Sequence, residues 1–277
     1  MISDRDRHVI VFGCDSQTNI GVQDPLLIRF SDQENPLTWS AQATNTAGDL
    51  RIGTGSEIIT ALETRQQILV FTDKSLHAMQ YLGPPFTFGI NLISENITIA
   101  SPLSAVAVDD MVFWMGEEEF YMYGGGVQKL PCSVRAYVFE DFNTQQQEKV
   151  TASINSSYSE IWWFYPSGGS TECDRYVCFD YAEKIWTTGE IDRTAGVDRG
   201  VFRQPFWINA DGILYEQEIG FDYGGQSPFA ETGPIALGVG DNVMAVRGMI
   251  PDEKTLGDVN ATFKTRFYPT DTERDYG

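Results

Sequence analysis

The sequence predicts an all-β fold, a β-propeller of four-stranded blades, on three observations. Short, strongly apolar runs recur at nearly even spacing, turn-forming residues stand between them at hairpin positions, and no long amphipathic helical pattern with caps interrupts the series. The runs are Val9 to Phe12, Ile68 to Phe71, Met111 to Trp114, Ile161 to Phe164 and Pro205 to Ile208. From Phe12 through Phe71, Trp114 and Trp163 to Trp207 the intervals are 59, 43, 49 and 44 residues, close to the roughly 40–50 residues of one propeller blade. About five blade-like units are therefore expected over residues 1–240, followed over 241–277 by a two-stranded segment that begins a closing blade or a further domain.

Taken in order, the first unit pairs Val9 to Phe12 with Leu27-Ile28-Arg29-Phe30, which leads to Trp39. The second reads as a strand from Gln66 to Phe71, a Thr72-Asp73-Lys74-Ser75 turn, a strand from Leu76 to Tyr81, and a Gly83-Pro84-Pro85 break. In the third, Met111 to Met115 is followed by a Gly116-Glu117-Glu118 turn, then Phe120 to Tyr123, three glycines, and Val127 to Leu130. The fourth joins Ile161 to Phe164 with Tyr176-Val177-Cys178-Phe179 and Trp186; Trp39 and Trp186 are both expected to close a hairpin and face a core. In the fifth, Ala210-Asp211-Gly212 links Phe206-Trp207-Ile208 to Ile213-Leu214-Tyr215, because Asp-Gly supplies the positive φ of a tight hairpin turn. Phe139 to Lys149, helical for a turn or two at most, is expected as loop. Val243 to Met249 and Val259 to Phe267 read as two longer strands around a Pro251-Asp252-Glu253-Lys254 turn. The first strand follows Met1 almost at once and the chain stops just past a strand, so an interior piece of a longer polypeptide is expected.

Composition narrows the function classes. The chain has 277 residues, enough for a large core, with 42% hydrophobic and 13% aromatic residues, 26 Gly and 12 Pro, a strand-and-turn composition. Nineteen basic against 39 acidic residues give a formal charge of −20, which repels a phosphate backbone and argues against sequence-reading of nucleic acid. Such acidity either keeps a compact body soluble or forms a wall past which nucleic acid slides without sticking. No signal-peptide pattern and no apolar run of roughly 18 residues occurs, so the chain reads as soluble, made in the cytoplasm and not membrane-inserted. On that reading the sequons at Asn96, Asn155 and Asn260 carry no sugar.

Candidate chemistry is sparse. Cys14, Cys132, Cys173 and Cys178 form no CxxC pair and read as reduced packing residues. His8 and His77 stand beside apolar neighbours with no nucleophile elbow in the chain, and read as structural. Gly124-Gly125-Gly126 lacks the Lys-[ST] of a phosphate loop and reads as a hairpin bend. The run Trp162-Trp163-Phe164-Tyr165 could stack sugars or bases if exposed, but consecutive aromatics fit a strand buried on both faces. Asp109-Asp110 and Glu117-Glu118-Glu119 could serve acid/base chemistry or hold a hard cation. Adjacent residues of a strand point to opposite sides, so they read instead as solvated turns, and Asp109, Asp110, Glu117, Glu118 and Glu119 are taken as a candidate acidic channel or interface lining. A sialidase-like glycoside hydrolase is the enzymatic alternative, but its aspartate box is degenerate at Asp32 to Trp39, with Glu34 and Pro36 at the Asp and Gly places, and the arginines are scattered singly. A glycan- or receptor-binding propeller is the other alternative. No cofactor is indicated.

Several segments together carry a family resemblance: Arg5 to Gly13, Asp24 to Glu34, Ala47-Gly48-Asp49, Gly55 to Ile58, Gln67 to Gly83, Val112 to Met115, Phe120 to Tyr123, Leu130-Pro131-Cys132, Glu160 to Pro166, Tyr176 to Trp186 and Arg193-Thr194-Ala195. Their order and spacing resemble the middle of tail nozzle or tail hub proteins, akin to packaged-DNA stabilisation proteins, of short-tailed bacteriophages. The resemblance implies a β-propeller subunit of a homo-oligomeric ring, a hexamer, that forms the distal tail conduit of the virion. It also implies neighbouring tail proteins, an adaptor on one side and a distal plug or needle on the other, and genomic DNA passing non-specifically. It carries no catalytic residues, and because family members are longer it agrees with an interior piece.

Overall fold

A computed structural model of the protein describes residues 1–220, 228–235, 243–250, 258–268 and 270–276. These divide into two compact units, Met1–Gly220 and Phe221–Gly277.

The first unit is a series of antiparallel sheets in chain order. Sheet 1 contains β1 (Ile2–Ser3), β2 (Val9–Phe12), β5 (Leu27–Phe30) and β6 (Gly48–Arg51), with a separate hairpin of β3 (Asp15–Ser16) and β4 (Asn19–Gln23) inserted between β2 and β5. Sheet 2 is a meander of β7 (Ile58–Glu63), β8 (Ile68–Thr72), β9 (Ser75–Gly83) and β10 (Thr87–Glu95). Sheet 3 contains β11 (Ala105–Val108), β12 (Met111–Met115), β13 (Phe120–Tyr123) and β14 (Val127–Lys129). After the helix α1 (Arg135–Asp141), sheet 4 contains β15 (Thr151–Asn155), β16 (Glu160–Tyr165), β17 (Arg175–Asp180) and β18 (Ile185–Glu190). Sheet 5 has three strands, β19 (Ala195–Val197), β20 (Phe206–Ile208) and β21 (Leu214–Glu216). The first strands of successive sheets lie against one another, β1 on β7, β7 on β11, β11 on β15 and β15 on β19. Sheets that meet face to face along their first strands are the blades of a β-propeller.

Side-chain alternation explains why the second strand of each blade reads as a continuous apolar run. In β8, Ile68 and Val70 join Ile10, Ile28 and Phe30 of blade 1 in one core, whereas Leu69 and Phe71 join Val112 and Trp114 of blade 3 in the next. In β12 the set divides again, Val112 and Trp114 toward blade 2, Phe113 and Met115 toward blade 4. In β16, Ile161, Trp163 and Tyr165 meet blade 3, while Trp162 and Phe164 meet Trp207 of blade 5. A central strand sandwiched between two neighbours must be apolar at every position, because successive side chains enter different cores. At about 25 cal/mol per Å² of apolar area removed from water, burial of these aromatic rings dominates the stability of the blades.

One expectation about the blade tryptophans holds, and two expectations are corrected. Trp186 does close β18 against its neighbours, stacking on Trp163 at 6.1 Å and donating its indole N–H to the Pro131 carbonyl at 2.9 Å. Trp39 does not: it is a half-buried loop residue whose indole bonds the Pro36 carbonyl only three residues back, and the last strand of blade 1 is β6. The stretch from Phe139 to Lys149 is not loop, since it contains the end of α1 and a 3-10 helix over Thr144–Lys149. Val138 within α1 and Phe142 just past its end are buried against the blade 3–4 core, and this packing stabilises a helix whose N-terminus has no side-chain cap.

In the second unit, β22 (Phe263–Thr265) pairs with β23 (Arg274–Tyr276). Residues 243–249 are not a strand, so the expected long hairpin is not formed; its Pro251 to Lys254 turn lies outside the described residues. The compact first unit ends at Gly220, ahead of the change of rhythm near Gly240.

Candidate functional site

The turns that join first to second strands all fall at one end of the blades, and three of them converge there. These are the segment after β1 carrying Asp4, Arg5 and His8, the β7–β8 turn carrying Thr64 to Gln67, and the two-residue β11–β12 turn Asp109-Asp110. Asp109 sits in that turn at φ 55°, a left-handed conformation that Asp tolerates better than most residues.

Together the three turns enclose an open cavity of about 430 Å³ lined by Asp4, Arg5, Glu63, Thr64, Arg65 and Asp109. A chain of contacts crosses it. Arg5 lies 3.8 Å from the Glu63 carboxylate and donates to the Arg65 carbonyl at 2.7 Å, and Arg65 in turn pairs with Asp109 at 2.6 Å. Arg65 and Asp109 are both largely solvated, so their pairing fixes the relative position of the turns more than it stabilises the fold. Asp4 is buried, accepts the His8 backbone N–H at 2.6 Å and lies 3.4 Å from the His8 ring. The ring contacts Thr46 at 3.2 Å and packs edge-on to Phe88 of blade 2 with centroids 5.1 Å apart, so His8 is a packing residue between blades 1 and 2.

A second cavity of about 320 Å³ adjoins the first through Thr64 and is lined by Gln66, Gln67, Asp110, Tyr123 and Gly124. Gln67 donates to the Tyr123 hydroxyl at 2.6 Å and accepts from Gln80 at 3.0 Å. Its wall is a set of amide, phenol and carboxylate groups that can exchange hydrogen bonds with a polar ligand.

The predicted acidic residues therefore fall into two places. Asp109 and Asp110 edge these cavities, whereas Glu117, Glu118 and Glu119 occupy the β12–β13 turn at the opposite end of β12, roughly 16 Å away for five residues at about 3.3 Å each. Glu119 is half-buried and held by Lys129 at 3.2 Å and Arg135 at 3.1 Å, tying blade 3 to α1. Asp110, Glu117 and Glu118 are exposed and make no ion pair among the described residues. Arg5, Arg65, Gln67 and Tyr123 escaped the sequence reading. The signal for them is topological: every turn between a first and a second strand shares one blade end.

Several titratable groups away from these cavities are packed within or between the blades. Between blades 4 and 5 the amide of buried Asn155 lies 3.4 Å from Glu160 and 3.3 Å from Glu218, and Trp162 donates to Glu160 at 3.0 Å. Burial, reinforced by the charges of Glu218 and Asp180, raises the Glu160 carboxyl above its ordinary range. Burial pushes the Cys132 thiol up to about 11 and the Cys173 thiol up to about 12, and raises Cys14 and Cys178 as well, which keeps all four as thiols at neutral pH. Desolvation lowers His77, favouring its neutral form. Among the described residues no group of three His, Cys, Asp or Glu is placed to hold a metal ion, and no helix is long and apolar enough to cross a membrane.

No protein-family model and no curated protein sequence matches the chain. Among solved structures it is similar to that of Kluyvelomyces marxianus Hsv2, with 7% identity and a TM-score of 0.43, over 73% of this chain. The chain spans 57% of that protein's length. The blade topology and the shared cores described above define the architecture: an all-β chain with propeller blades.

Proposed function

We propose that the protein is a structural subunit of the distal tail conduit, a nozzle or hub, of a short-tailed bacteriophage. In this role it assembles as a homo-oligomeric ring, a hexamer, between an adaptor and a distal plug or needle, retains the packaged genome and passes it during ejection. It performs no reaction and carries no cofactor. The observation that carries the reading is the pairing of a stiffly packed, aromatic body with a formal charge of −20 and exposed acidic turns at both ends of blade 3. Six copies of Asp110, Glu117 and Glu118 around a passage keep contact with phosphates repulsive, so DNA slides without being held. Ring subunits of this kind close through head-to-tail interfaces. Labelling the protein in intact phage particles tests the reading: signal at the tail tip, with loss of packaged DNA from particles lacking the protein, is expected, and signal confined to the head overturns it.

A second reading, a glycan-binding propeller, is favoured by the cavity of Gln67, Asp110 and Tyr123, whose groups suit sugar hydroxyls. Retention of the purified chain on a glycan array, lost in Gln67→Ala, supports it, and silence across the array sets it aside.

A further inference from the structure

His8 is wholly buried at the junction of blades 1 and 2, and the side chain of Asp4, four residues earlier in the same turn, is 6% exposed. The two residues close that turn: Asp4 N–H donates to the His8 carbonyl at 3.1 Å, and Asp4 Oδ1 accepts the His8 backbone N–H at 2.6 Å. Asp4 Oδ2 and His8 Nδ1 are left facing each other at 3.4 Å, both buried and neither with another hydrogen-bond partner among the described residues. A buried polar atom without a partner is costly, and here two such atoms are turned toward one another.

Hydrogen bonds on the other side of the ring fix which nitrogen carries the proton of its neutral form. Thr46 stands between His8 and Asp32 in the connection from β5 to β6. Two hydrogen bonds, from the Thr46 backbone N–H at 2.9 Å and from its hydroxyl at 2.8 Å, hold the Asp32 carboxyl below its ordinary range. An ionised carboxylate only accepts, so the Thr46 hydroxyl spends its one proton on Asp32. The Thr46 oxygen accepts the Gln33 N–H at 2.8 Å and, with its remaining lone pair, must accept from His8 Nε2 at 3.2 Å. A neutral His8 therefore carries its proton on Nε2 and turns a bare Nδ1 toward Asp4 Oδ2. From blade 2 the ring meets the Tyr81 phenol of β9 and the Phe88 ring of β10, with centroids 5.6 and 5.1 Å away. In its own turn, Arg5 and Arg7 are exposed and engaged with Glu63 and Glu34.

We propose that Asp4, His8, Thr46 and Asp32 form a proton-operated latch between blades 1 and 2, in which His8 takes a proton from solvent on Nδ1 and bonds Asp4 Oδ2 through it. One proton gives both buried atoms their missing partner and makes the contact a charge-assisted hydrogen bond. Asp32, one hydroxyl away, sets a second negative charge on the far side of the imidazolium. When the proton leaves, the bond between Nδ1 and Oδ2 is lost while Nε2–H stays on Thr46. The latch therefore holds on the acid side and slackens as pH rises. Asp4 also lines the cavity shared by Arg5, Arg65 and Asp109, so proton uptake at His8 sets how firmly that wall is held. The inference stands on hydrogen-bond partners and does not require the tail role.

The chain has two histidines, so imidazole nitrogen NMR of the isotope-labelled full chain reads the latch directly. Desolvation holds His77 below its ordinary range, which makes it the neutral reference signal, and His77→Gln assigns the two rings. Over pH 5–8, where histidine ordinarily titrates, His8 is expected to be protonated at Nε2 throughout and at Nδ1 as well on the acid side. Asp4→Asn keeps the side-chain shape and an acceptor for the His8 N–H, and is expected to remove the second protonation. Thr46→Val takes away the Nε2 acceptor and is expected to move the neutral ring's proton to Nδ1. A neutral parent ring protonated at Nδ1, a His8 that stays neutral across the range, or a second protonation unchanged in Asp4→Asn overturns the proposal. The parent is also expected to melt above Asp4→Asn by a larger margin at pH 5 than at pH 8, and a margin that does not change with pH overturns the coupling of the proton to the blade junction.

Discussion

Trp114 is wholly buried between blades 2 and 3, stacked on Tyr121 at 5.3 Å and edge-on to Phe71 at 5.1 Å, and its indole donates to the Thr98 carbonyl at 3.0 Å. Alanine there leaves a cavity and an unpaired carbonyl, so a loss of about 3–5 kcal/mol is expected, read as a lower denaturant midpoint at unchanged slope. Trp162→Ala, at a half-buried position, costs less. Glu160 provides the opposite case, a residue the fold tolerates at a cost. Burial first, then the charges of Glu218 and Asp180, raise its carboxyl in the folded state above the ordinary value of 4.5. The folded chain therefore binds this proton more tightly than the unfolded chain. The stabilisation is fully present below the unfolded value and is lost as pH rises through the raised one. Glu160→Gln keeps an oxygen for the Trp162 N–H and removes the buried charge. It should melt higher than the parent at neutral pH, with the difference vanishing on acidification below about pH 4; melting temperatures across that range decide it, and a variant that melts lower at pH 7 would refute the account.

At the scale of the element, what could be read from the sequence depended on how many neighbours a strand has. The runs Ile68 to Phe71, Met111 to Trp114 and Ile161 to Phe164 were legible because each is a second strand shared between two cores, so burial leaves no polar position. First and outer strands such as β14, whose residues are half-buried or exposed, leave a weaker mark, and α1 left almost none because tertiary packing of Val138 and Phe142, rather than caps, holds it. The site divides in the same way. Asp109 and Asp110 were legible as turn residues, but their company of Arg5 and Arg65 was not, because residues far apart in sequence meet only once blade topology sets which turns share an end. Nor could spacing reveal that Glu119 is held by two cations while its neighbours are solvated. Gly196 gives the element-scale prediction. It lies in β19 where a Cβ would stand 2.3 Å from Trp207 Cδ1 and 2.7 Å from Ser153 Oγ, so blades 4 and 5 approach closely only because that atom is missing. Gly196→Ala should cost about 1–3 kcal/mol by overpacking, whereas Gly169→Ala, at a turn with open space around it, should change the midpoint little; equal effects at the two sites would refute the close-approach argument.

The whole first unit behaves as a chain of shared cores, because every second strand from β8 to β16 belongs to two of them at once. Loosening one core therefore exposes one face of two strands, each of which still faces a second core with its other side chains. Damage should spread to neighbours and weaken with distance, as in any array whose units contact only those beside them. Trp114→Ala places the injury between blades 2 and 3. Amide hydrogen exchange should then show protection falling most in β8 and β12, less in β16, and least in β20. Interiors this closely packed transmit strain instead of absorbing it locally, so the amides of β16 should respond although no atom of that strand belongs to the damaged core. Loss of protection confined to β8 and β12 would mean that the blades open independently and would refute the shared-core account.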